Sequence, residues 1–300
     1  MKDWRWNGWP ISLVSPGISG RRDVVILIHG FGACKEHWRF NVNALNCEYD
    51  VVALDLLGFG ASAKPCSRLE GEPIDKQAVC YGIDLWAQQV TSFVHSHLTA
   101  RVHLVGNSIG GVVALAAARQ IERKGNNVAG VILINCAQRA MDDKCVVEQS
   151  ALRRFGRYLL KRFVRIRWLT KPLFYLLSRP SVIRKVLRLA YPTGLHVDSG
   201  LINVLHRATM DSGADESFRG FINLFNDMLA PEILAELKVP VRMIWGQADP
   251  WEPISEARCW TSFPCVQQLE ELPELGHCPH DEAPDRVNPM LLSMLQKHSR

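Results

Sequence analysis

Short apolar runs alternate along the chain with longer segments in which apolar residues recur every three to four positions. The runs cover residues 23–30, 49–58, 101–107, 128–136 and 239–249. Because each run is apolar at consecutive positions, it is typical of a parallel strand that is buried on both faces. Helical spacing covers residues 84–98, 110–124 and 283–298. Pro289 is expected to limit the regular part of the last helix. The pattern predicts an α/β fold with a mostly parallel central sheet and helices on both faces.

The alternation stops once, between residues 137 and 237. Strand patterns vanish there and helical patterns replace them. With 300 residues, the chain is long enough for one large α/β domain with an insertion. We therefore predict a core formed by residues 1–136 and 238–300 and a helical cap over residues 137–237.

Composition narrows the class of protein. A hydrophobic content of 47% is enough for a sizeable core and excludes a disordered chain. The nine cysteines lack CxxC or Cys/His spacing, which argues against a disulfide framework and a zinc module and favours a reducing compartment. The N-terminal residues lack the pattern of a signal peptide, and no apolar run approaches the roughly 18 to 20 residues that span a bilayer. We expect a cytoplasmic protein, with peripheral attachment to a membrane left open.

A polar serine stands where the third apolar run meets the second helical segment. The residues there are Gly106, Asn107, Ser108, Ile109 and Gly110, the pattern G-x-S-x-G. Glycines two residues to either side let backbones approach closely, so that a strained strand-to-helix turn can project the serine hydroxyl. The helix N-terminus supplies free N–H groups and a positive dipole end for a developing oxyanion. Ser108 is the candidate nucleophile, and Gly106 and Gly110 support the turn.

Two alternatives fit the same glycine-rich junction. Small residues between a strand and a helix can serve close packing alone, and a dinucleotide-binding loop also follows a strand. The dinucleotide pattern G-x-G-x-x-G needs its second glycine where this chain has Ser108. The residues at the other strand ends favour the nucleophile.

The first predicted strand ends in His29, Gly30, Phe31 and Gly32, which we call the oxyanion loop. In hydrolases with this order of elements, such a loop supplies one backbone N–H of the oxyanion hole, and the residue after the nucleophile supplies the other. The candidate donors are the N–H groups of Phe31 and Ile109. We expect Gly30 and Gly32 to support the loop, and His29 to brace it rather than perform chemistry.

Two later segments carry the remaining candidate groups. Asp249 follows the strand that ends near Gly246, and His277 lies on the next loop after a glycine. The chain order Ser, Asp, His is one in which serine hydrolases carry their triad. His277, with an unperturbed pKa of about 6.5, can take the proton of Ser108, and Asp249 can orient the imidazole and stabilise the imidazolium. An acyl-enzyme follows, which water deacylates. Asp55 is expected to fix the loop beneath the site.

Other titratable residues near these segments are alternatives. His280 is the rival base, although it lacks the preceding glycine, and Asp142 and Asp143 offer another position for the acid. Glu252 and Asp281 are expected to be structural or surface carboxylates.

Segments spread across nearly the whole chain resemble α/β-hydrolase-fold serine hydrolases. These segments are HGFG, DLLGFGAS, GNSIGGVVAL, GQADPWEP and GHCPHDEAPDRVN. More narrowly, the chain resembles the pheophytinase-like branch of oxygenic phototrophs, through DLWAQQVTSFV, GNSIGG, DPW and above all GHCPHDE. This branch implies hydrolysis of the ester that joins a phytyl chain to a chlorin pigment, with Ser108, Asp249 and His277 as the triad.

The chain departs from the plant enzymes in two respects. We expect it to lack a long targeting extension, and its oxyanion loop begins with His29 where the plant proteins are expected to differ. A bacterial relative that acts on another lipophilic ester would share the same motifs. Carbon–carbon bond hydrolysis, perhydrolase or haloperoxidase-like chemistry and a non-catalytic binding protein are alternatives on the same fold. No motif implies a metal or an organic cofactor, and the expected ligand is a small hydrophobic ester.

The cap contains a basic and aromatic stretch, residues 151–191, without Asp or Glu. Apolar and basic residues both recur there at helical spacing: Leu152, Phe155, Leu159, Phe163 and Ile166, and Arg153, Arg157, Lys161 and Arg165. An amphipathic helix of this kind can lie on an anionic membrane surface. We prefer the interpretation that the apolar face packs on the core as the roof of the site, although both can hold. Nucleic-acid binding is not expected, because no recognition module accompanies the basic run.

Overall fold

The computed structural model describes residues 4–20, 22–125, 127–145 and 151–298, and for residues 151–157 and 298 it describes the backbone alone. The strands within these ranges are β1 Trp4–Trp6, β2 Trp9–Ile11, β3 Leu13–Val14, β4 Val24–Ile28, β5 Asp50–Leu54, β6 Cys66–Ser67, β7 Ala78–Val79, β8 Val102–Asn107, β9 Val128–Ile134, β10 Val241–Gly246 and β11 Val266–Leu272. The helices are α1 Val42–Leu45, α2 Ile83–His97, α3 Ile109–Arg123, α4 Ala151–Val164, α5 Arg167–Leu177, α6 Pro180–Ala190, α7 Ser199–Thr209, α8 Ala214–Ile222, α9 Ala230–Leu234, α10 Ile254–Trp260, α11 Pro279–Glu282 and α12 Pro284–His298.

One sheet in the described part of the chain has seven strands in the order β11-β10-β9-β8-β4-β5-β3. Its neighbouring strands run parallel, except that β3 pairs antiparallel with β5 at one edge. This confirms the predicted fold class, a mostly parallel sheet with helices around it. In such a sheet, the loops at the carboxyl ends of the strands collect the functional groups.

The sheet is buried on both faces, as its continuous apolar runs predict. Val24, Ile26 and Ile28 of β4 belong to a core cluster that includes residues of α2 and α3. Val25 and Leu27, whose side chains point to the opposite face, belong to a second cluster with residues of α1 and α12. The two clusters make the sheet a rigid platform for the loops at its edge.

One expectation about α12 is wrong. The helix continues through Pro289 to His298 rather than being limited by it. A proline inside a helix removes a backbone hydrogen bond. Val287, Leu291 and Leu295 of the same helix are fully buried in the second core cluster, and this packing holds the helix together despite the lost bond.

The insertion between β9 and β10 contains helices α4 to α9. Phe174 of α5 packs against Phe218 of α8 with ring centroids 5.4 Å apart. Ile233 and Leu234 of α9 are buried in the main core cluster with α3. The outer helices of the insertion therefore stand apart from the sheet, while α9 belongs to the packing of the core.

The preferred interpretation of the basic stretch is wrong for the three residues of the predicted apolar pattern whose side chains the structure describes. Leu159, Phe163 and Ile166 are 51%, 40% and 37% exposed, so these apolar side chains do not pack on the core. Four other residues of the predicted pattern lie outside the described side chains: Leu152, Arg153, Phe155 and Arg157. None of the described helices combines the length and hydropathy needed to cross a bilayer.

Candidate active site

Ser108 lies on a strained turn between β8 and α3. Its φ of 55° and ψ of −127° place a residue with a side chain in a region that favours glycine. A Cβ on Gly106 would lie 2.2 Å from the carbonyl oxygen of Gly110, and a Cβ on Gly110 would lie 2.4 Å from that of Ile28. Both glycines of the G-x-S-x-G pattern are therefore required for the close approach of the strand, the helix and the loop after β4.

Asp249 and His277 form a direct pair at the carboxyl edge of the sheet. His277 Nδ1 lies 2.7 Å from Asp249 Oδ2, and both residues are 9% exposed. Asp249 Oδ1 accepts hydrogen bonds from the backbone N–H groups of Trp251 and Glu252 at 2.8 and 3.2 Å. Because Asp249 engages Nδ1, the Nε2 atom of His277 is left for another partner.

Two asparagines that sequence reasoning missed hold this pair in place. Asn135, after β9, donates from Nδ2 to Asp249 Oδ2 at 2.8 Å, and its Oδ1 accepts from the N–H of Gly246 at 2.9 Å. Asn107, directly before Ser108, donates from Nδ2 to the carbonyl oxygen of His277 at 2.9 Å. Both are visible in the sequence as polar residues at the end of an apolar run, Asn107 as its last residue and Asn135 as its second-last. Their partners are distant in sequence and emerge only from the register of the strands.

The oxyanion loop lies against the serine turn. A Cβ on Gly30 would be 3.0 Å from the Cβ of Ser108, so the loop and the nucleophile candidate are in contact. Gly32 has a φ of 68°, which a glycine adopts without strain. Ile109 is the first residue of α3, so its N–H has no partner within the helix. The oxyanion loop and the start of α3 therefore both lie beside Ser108.

His29 is fully buried beneath this loop. Its Nε2 accepts from the N–H of Leu56 at 3.1 Å, so Nδ1 carries the proton and donates to the carbonyl oxygen of Gly30 at 2.8 Å. Burial lowers the pKa of His29 and keeps the ring neutral. Asp55 lies nearby, also fully buried, and accepts from the backbone of Lys35 and Ala61.

The alternative base is buried without a hydrogen-bond partner among the described residues, and the alternative acids pair with cations. His280 is fully buried, its ring centroid lies 4.2 Å from that of Trp38, and neither ring nitrogen has a hydrogen-bond partner among the described residues. Burial lowers the pKa of His280 well below its usual value, and so the ring is neutral. Asp142 is bonded to Arg139, and Asp143 to Lys161.

Trp251 and Glu252 both lie beside the Asp249–His277 pair. Trp251 lies edge-on to the His277 ring at 5.0 Å. Glu252 accepts from the N–H of Gln138 at 2.7 Å. Burial, with the nearby charge of Asp249 adding to it, raises the pKa of Glu252 to about 8. Asp281, the other carboxylate expected to be structural, is fully buried and pairs with Arg39.

A small cavity of about 50 Å³ adjoins the oxyanion loop. It is lined by loop residues, by Phe59 and by cap residues that include Phe174, Leu205 and Phe218. Phe31 stacks on Phe221 of α8 with centroids 3.7 Å apart. The space beside the oxyanion loop is therefore mainly apolar and lies between the loop and the cap.

Comparison with known proteins bears on the fold and the reaction class. The profile described as "Alpha/beta hydrolase family" matches residues 25–290. Among curated proteins, the chain is 28% identical over 277 residues to the dihydrolipoyllysine-residue acetyltransferase component of the acetoin cleaving system of Pseudomonas putida, covering 91% of this chain and 64% of that protein. It is also 28% identical over 297 residues to the chloroplastic pheophytinase of Arabidopsis thaliana, covering 88% of this chain and 59% of that protein.

The chain thus spans about three fifths of the length of these two relatives. Other curated relatives carry the names of further hydrolases, epoxide hydrolases among them. Among solved structures, a serine hydrolase involved in carbazole degradation (the CarC enzyme) superposes with a TM-score of 0.72 at 20% identity, covering 96% of this chain and 95% of that one. This likeness shows the fold. Identity of 28% to relatives with different names does not distinguish a branch.

Proposed function

Because the chain belongs to the Alpha/beta hydrolase family, we propose that it is a serine hydrolase that cleaves a carboxylic ester of a hydrophobic substrate through an acyl-enzyme. The observation that carries the proposal is the bond of 2.7 Å between His277 Nδ1 and Asp249 Oδ2, at the same sheet edge as the strained turn of Ser108. A histidine oriented in this way presents Nε2 as a general base.

In the proposed reaction, Ser108 Oγ attacks the ester carbonyl carbon while His277 Nε2 takes the hydroxyl proton. The carbon–oxygen bond to the alcohol then breaks, and the imidazolium returns its proton to the leaving alkoxide. Water, deprotonated by the same nitrogen, attacks the acyl-enzyme and releases the acid and free Ser108. Asp249 stabilises the imidazolium in both halves of the reaction.

The tetrahedral intermediate carries a negative oxygen that needs preorganised donors. We assign the backbone N–H groups of Phe31 and Ile109 to this role. The first residue of α3 brings a free N–H and the positive end of the helix dipole. The bond from His29 to the Gly30 carbonyl supports this assignment, because it holds that carbonyl away from the space the oxyanion would occupy.

The substrate side of the proposal is a hydrophobic ester, since the lining beside the loop is aromatic and aliphatic. The cavity of about 50 Å³ is far smaller than the ~300–1,000 Å³ of typical ligand sites, so it holds a small apolar group as it stands. The relationship to pheophytinase supports a phytyl ester. A chain of that length would require the cap to move.

A fluorophosphonate probe and an ester series test the proposal together. We expect the probe to label the protein, and Ser108→Ala to remove the label with the fold retained. Hydrolysis of p-nitrophenyl esters from acetate to palmitate, measured beside pheophytin, would rank chain lengths. Activity only on a vinylogous diketone would replace ester cleavage by carbon–carbon bond hydrolysis. A wild-type protein that the probe does not label would indicate a non-catalytic binding protein.

A further inference from the structure

Charge is distributed unevenly along the chain. The whole sequence has 35 Lys and Arg against 30 Asp and Glu. Residues 149–197 contain twelve of the basic residues and no acidic one, which leaves 23 basic against 30 acidic residues in the rest. One segment, comprising α4 to α6 and their flanks, is thus strongly positive on a protein that is otherwise negative.

Exposed apolar side chains are concentrated in the same segment. Of the eighteen large apolar residues that are exposed in the described part of the chain, twelve lie between residues 158 and 195. Trp168 is 74% exposed, Leu189 60% and Tyr158 54%. An apolar surface of this kind on a single chain marks an interaction site rather than ordinary solvent exposure.

Helix α6 shows how the two features combine. Arg184 and Arg188 are four residues apart and share one side of the helix, and Lys185 lies next to them. Val186 and Leu189 continue the exposed surface, while Leu187 and Ala190 are buried. The outer side of α6 therefore carries a basic stripe beside an apolar one.

Four cations at the end of α5 and on α6 are not neutralised by the part of the protein that the structure describes. Within the described residues, Arg179, Arg184, Lys185 and Arg188 form no ion pair. By contrast, three cations of α4 and α5 pair with carboxylates: Lys161 with Asp143, Arg167 with Glu216 and Lys171 with Asp215. The unpaired cations are available to an external anionic partner.

We propose that the outer face of α4 to α6 docks on an anionic lipid bilayer. Apolar side chains would enter the boundary between headgroups and acyl chains, and the neighbouring cations would contact the lipid phosphates. A flat lipid surface fits both properties at once, because it offers apolar depth and negative charge over the whole area of the patch. The proposal does not depend on the chemistry proposed for Ser108.

The proposed docking surface lies close to the cavity beside the oxyanion loop. Phe174 of α5 lines the cavity beside the oxyanion loop, and Tyr175 and Leu176 on the same helix are exposed on the outer face. A helix is about 10 Å across. Docking would therefore bring the membrane within about one helix diameter of the cavity, which shortens the path of a lipophilic ester from the bilayer.

Flotation of the intact protein with vesicles tests the proposal. We expect it to float with vesicles that contain about one third phosphatidylglycerol and to bind pure phosphatidylcholine vesicles weakly. Binding to the anionic vesicles should fall steeply at about 1 M salt, where the Debye length is about 3 Å. Equal recovery with both vesicles, or no recovery with either, would overturn the proposal.

Matched variants locate the surface. The triple variant Arg184→Gln, Lys185→Gln, Arg188→Gln should lower partitioning to the anionic vesicles about a hundredfold. The control Lys76→Gln, Lys124→Gln, Lys238→Gln makes the same change in net charge at exposed positions outside the cap, and it should change partitioning less than threefold or so. Equal loss in both variants would mean that net charge alone governs binding and would overturn the assignment of the surface.

The depth to which the proposed surface enters the bilayer is measured by the quenching of tryptophan fluorescence by lipids with brominated acyl chains. Trp168→Phe should remove much of the quenching, whereas Trp251→Phe should retain it, although Trp251 is also exposed at 44%. The rival occupant is a second copy of the chain. A dimer in light scattering that Leu189→Ser dissociates would assign the face to self-association and overturn the membrane proposal.

Discussion

The carboxylate of Asp249 is held by a set of donors that offset the cost of burying a charge. Two backbone N–H groups, the Asn135 amide and the His277 ring all donate to it. An ionised group taken out of water is stable only when such partners replace its hydration. The donors also fix the direction in which the carboxylate faces the imidazole. Asn135 contributes to both effects.

Asn135→Gly is therefore expected to lower kcat/KM for an ester substrate about 10- to 100-fold. The variant loses one hydrogen bond to a charged group, worth about 1.5–3 kcal/mol. Glycine is the informative replacement because Asn135 has a φ of 41°, which glycine adopts freely. Steady-state kinetics of Asn135→Gly and Asn135→Ala separate the two contributions. Both variants lose the hydrogen bond and only the alanine variant adds backbone strain, so an unchanged kcat/KM in Asn135→Gly would contradict the assignment.

Glu252 makes stability depend on pH. Its pKa is raised to about 8 in the folded protein from an ordinary value of 4.5, chiefly by burial. The unfolded chain therefore ionises first, and folding stability is lost as the pH rises from about 4.5 towards about 8. Glu252→Gln should raise the free energy of unfolding at pH 9 by about 1–3 kcal/mol, and by little near pH 4.5.

Urea denaturation of the wild type and of Glu252→Gln at the two pH values measures these differences in the free energy of unfolding. The exposed Glu70→Gln serves as the control and should stay within about 0.5 kcal/mol of wild type at both. A gain for Glu252→Gln that is equal at both pH values would show that ionisation is not its cause.

At the scale of elements, the sequence was most informative where burial is complete. β4, β8 and β9 are buried at every position and were recognised from continuous apolar runs. β11, with the sequence VQQLEEL, lies at the sheet edge and carries polar residues, so it has no such signal. Ser108, Asp249 and His277 were identified as candidates because they follow strand or loop signals. The bond from Asn135 to Asp249 and the bond from the His277 N–H to the Ala190 carbonyl depend on pairings across the fold, which no local pattern encodes.

The end of α6 connects the cap to the loop that carries His277. The N–H of His277 donates to the carbonyl oxygen of Ala190 at 2.8 Å. The next residue, Tyr191, is buried, donates to Asp281 at 2.9 Å and lies 2.6 Å from His37 Nε2. The cap is thereby attached to the core beside the histidine.

Tyr191→Phe should lower the free energy of unfolding by about 1–3 kcal/mol, because the buried Nε2 of His37 loses its partner. It should also lower kcat more than it raises KM, since the backbone that positions His277 is loosened. Tyr175→Phe is the matched control: its side chain is 48% exposed, and its effect should stay within about 0.5 kcal/mol. Chemical denaturation and steady-state kinetics measure both. If the two variants have the same stability and kinetics, Tyr191 does not contribute to the attachment of the cap beside His277.

At the scale of the whole molecule, apolar residues are divided between two uses. Those on both faces of the sheet are buried in two large clusters that stabilise the fold. Those on the outer side of α4 to α6 remain exposed and contribute little burial. The hydrophobic pattern of the cap predicted helices correctly but not which face would be covered. That outcome depends on how the helices pack against one another, which periodicity alone leaves open.

A leucine-to-alanine substitution in the core and another on the outer face of the cap distinguish apolar residues that stabilise the fold from those that are available for docking. Leu291→Ala removes a fully buried side chain from α12 and should cost about 2–5 kcal/mol of unfolding free energy. Leu189→Ala removes a side chain that is 60% exposed on α6 and should change stability by no more than about 0.5 kcal/mol. In the vesicle assay the order should reverse, since Leu189→Ala weakens partitioning while Leu291→Ala, measured under conditions where it is folded, does not. A loss above about 1 kcal/mol for Leu189→Ala would mean that the outer face of the cap is packed in solution, and an apolar face that is already covered has no need of a lipid surface.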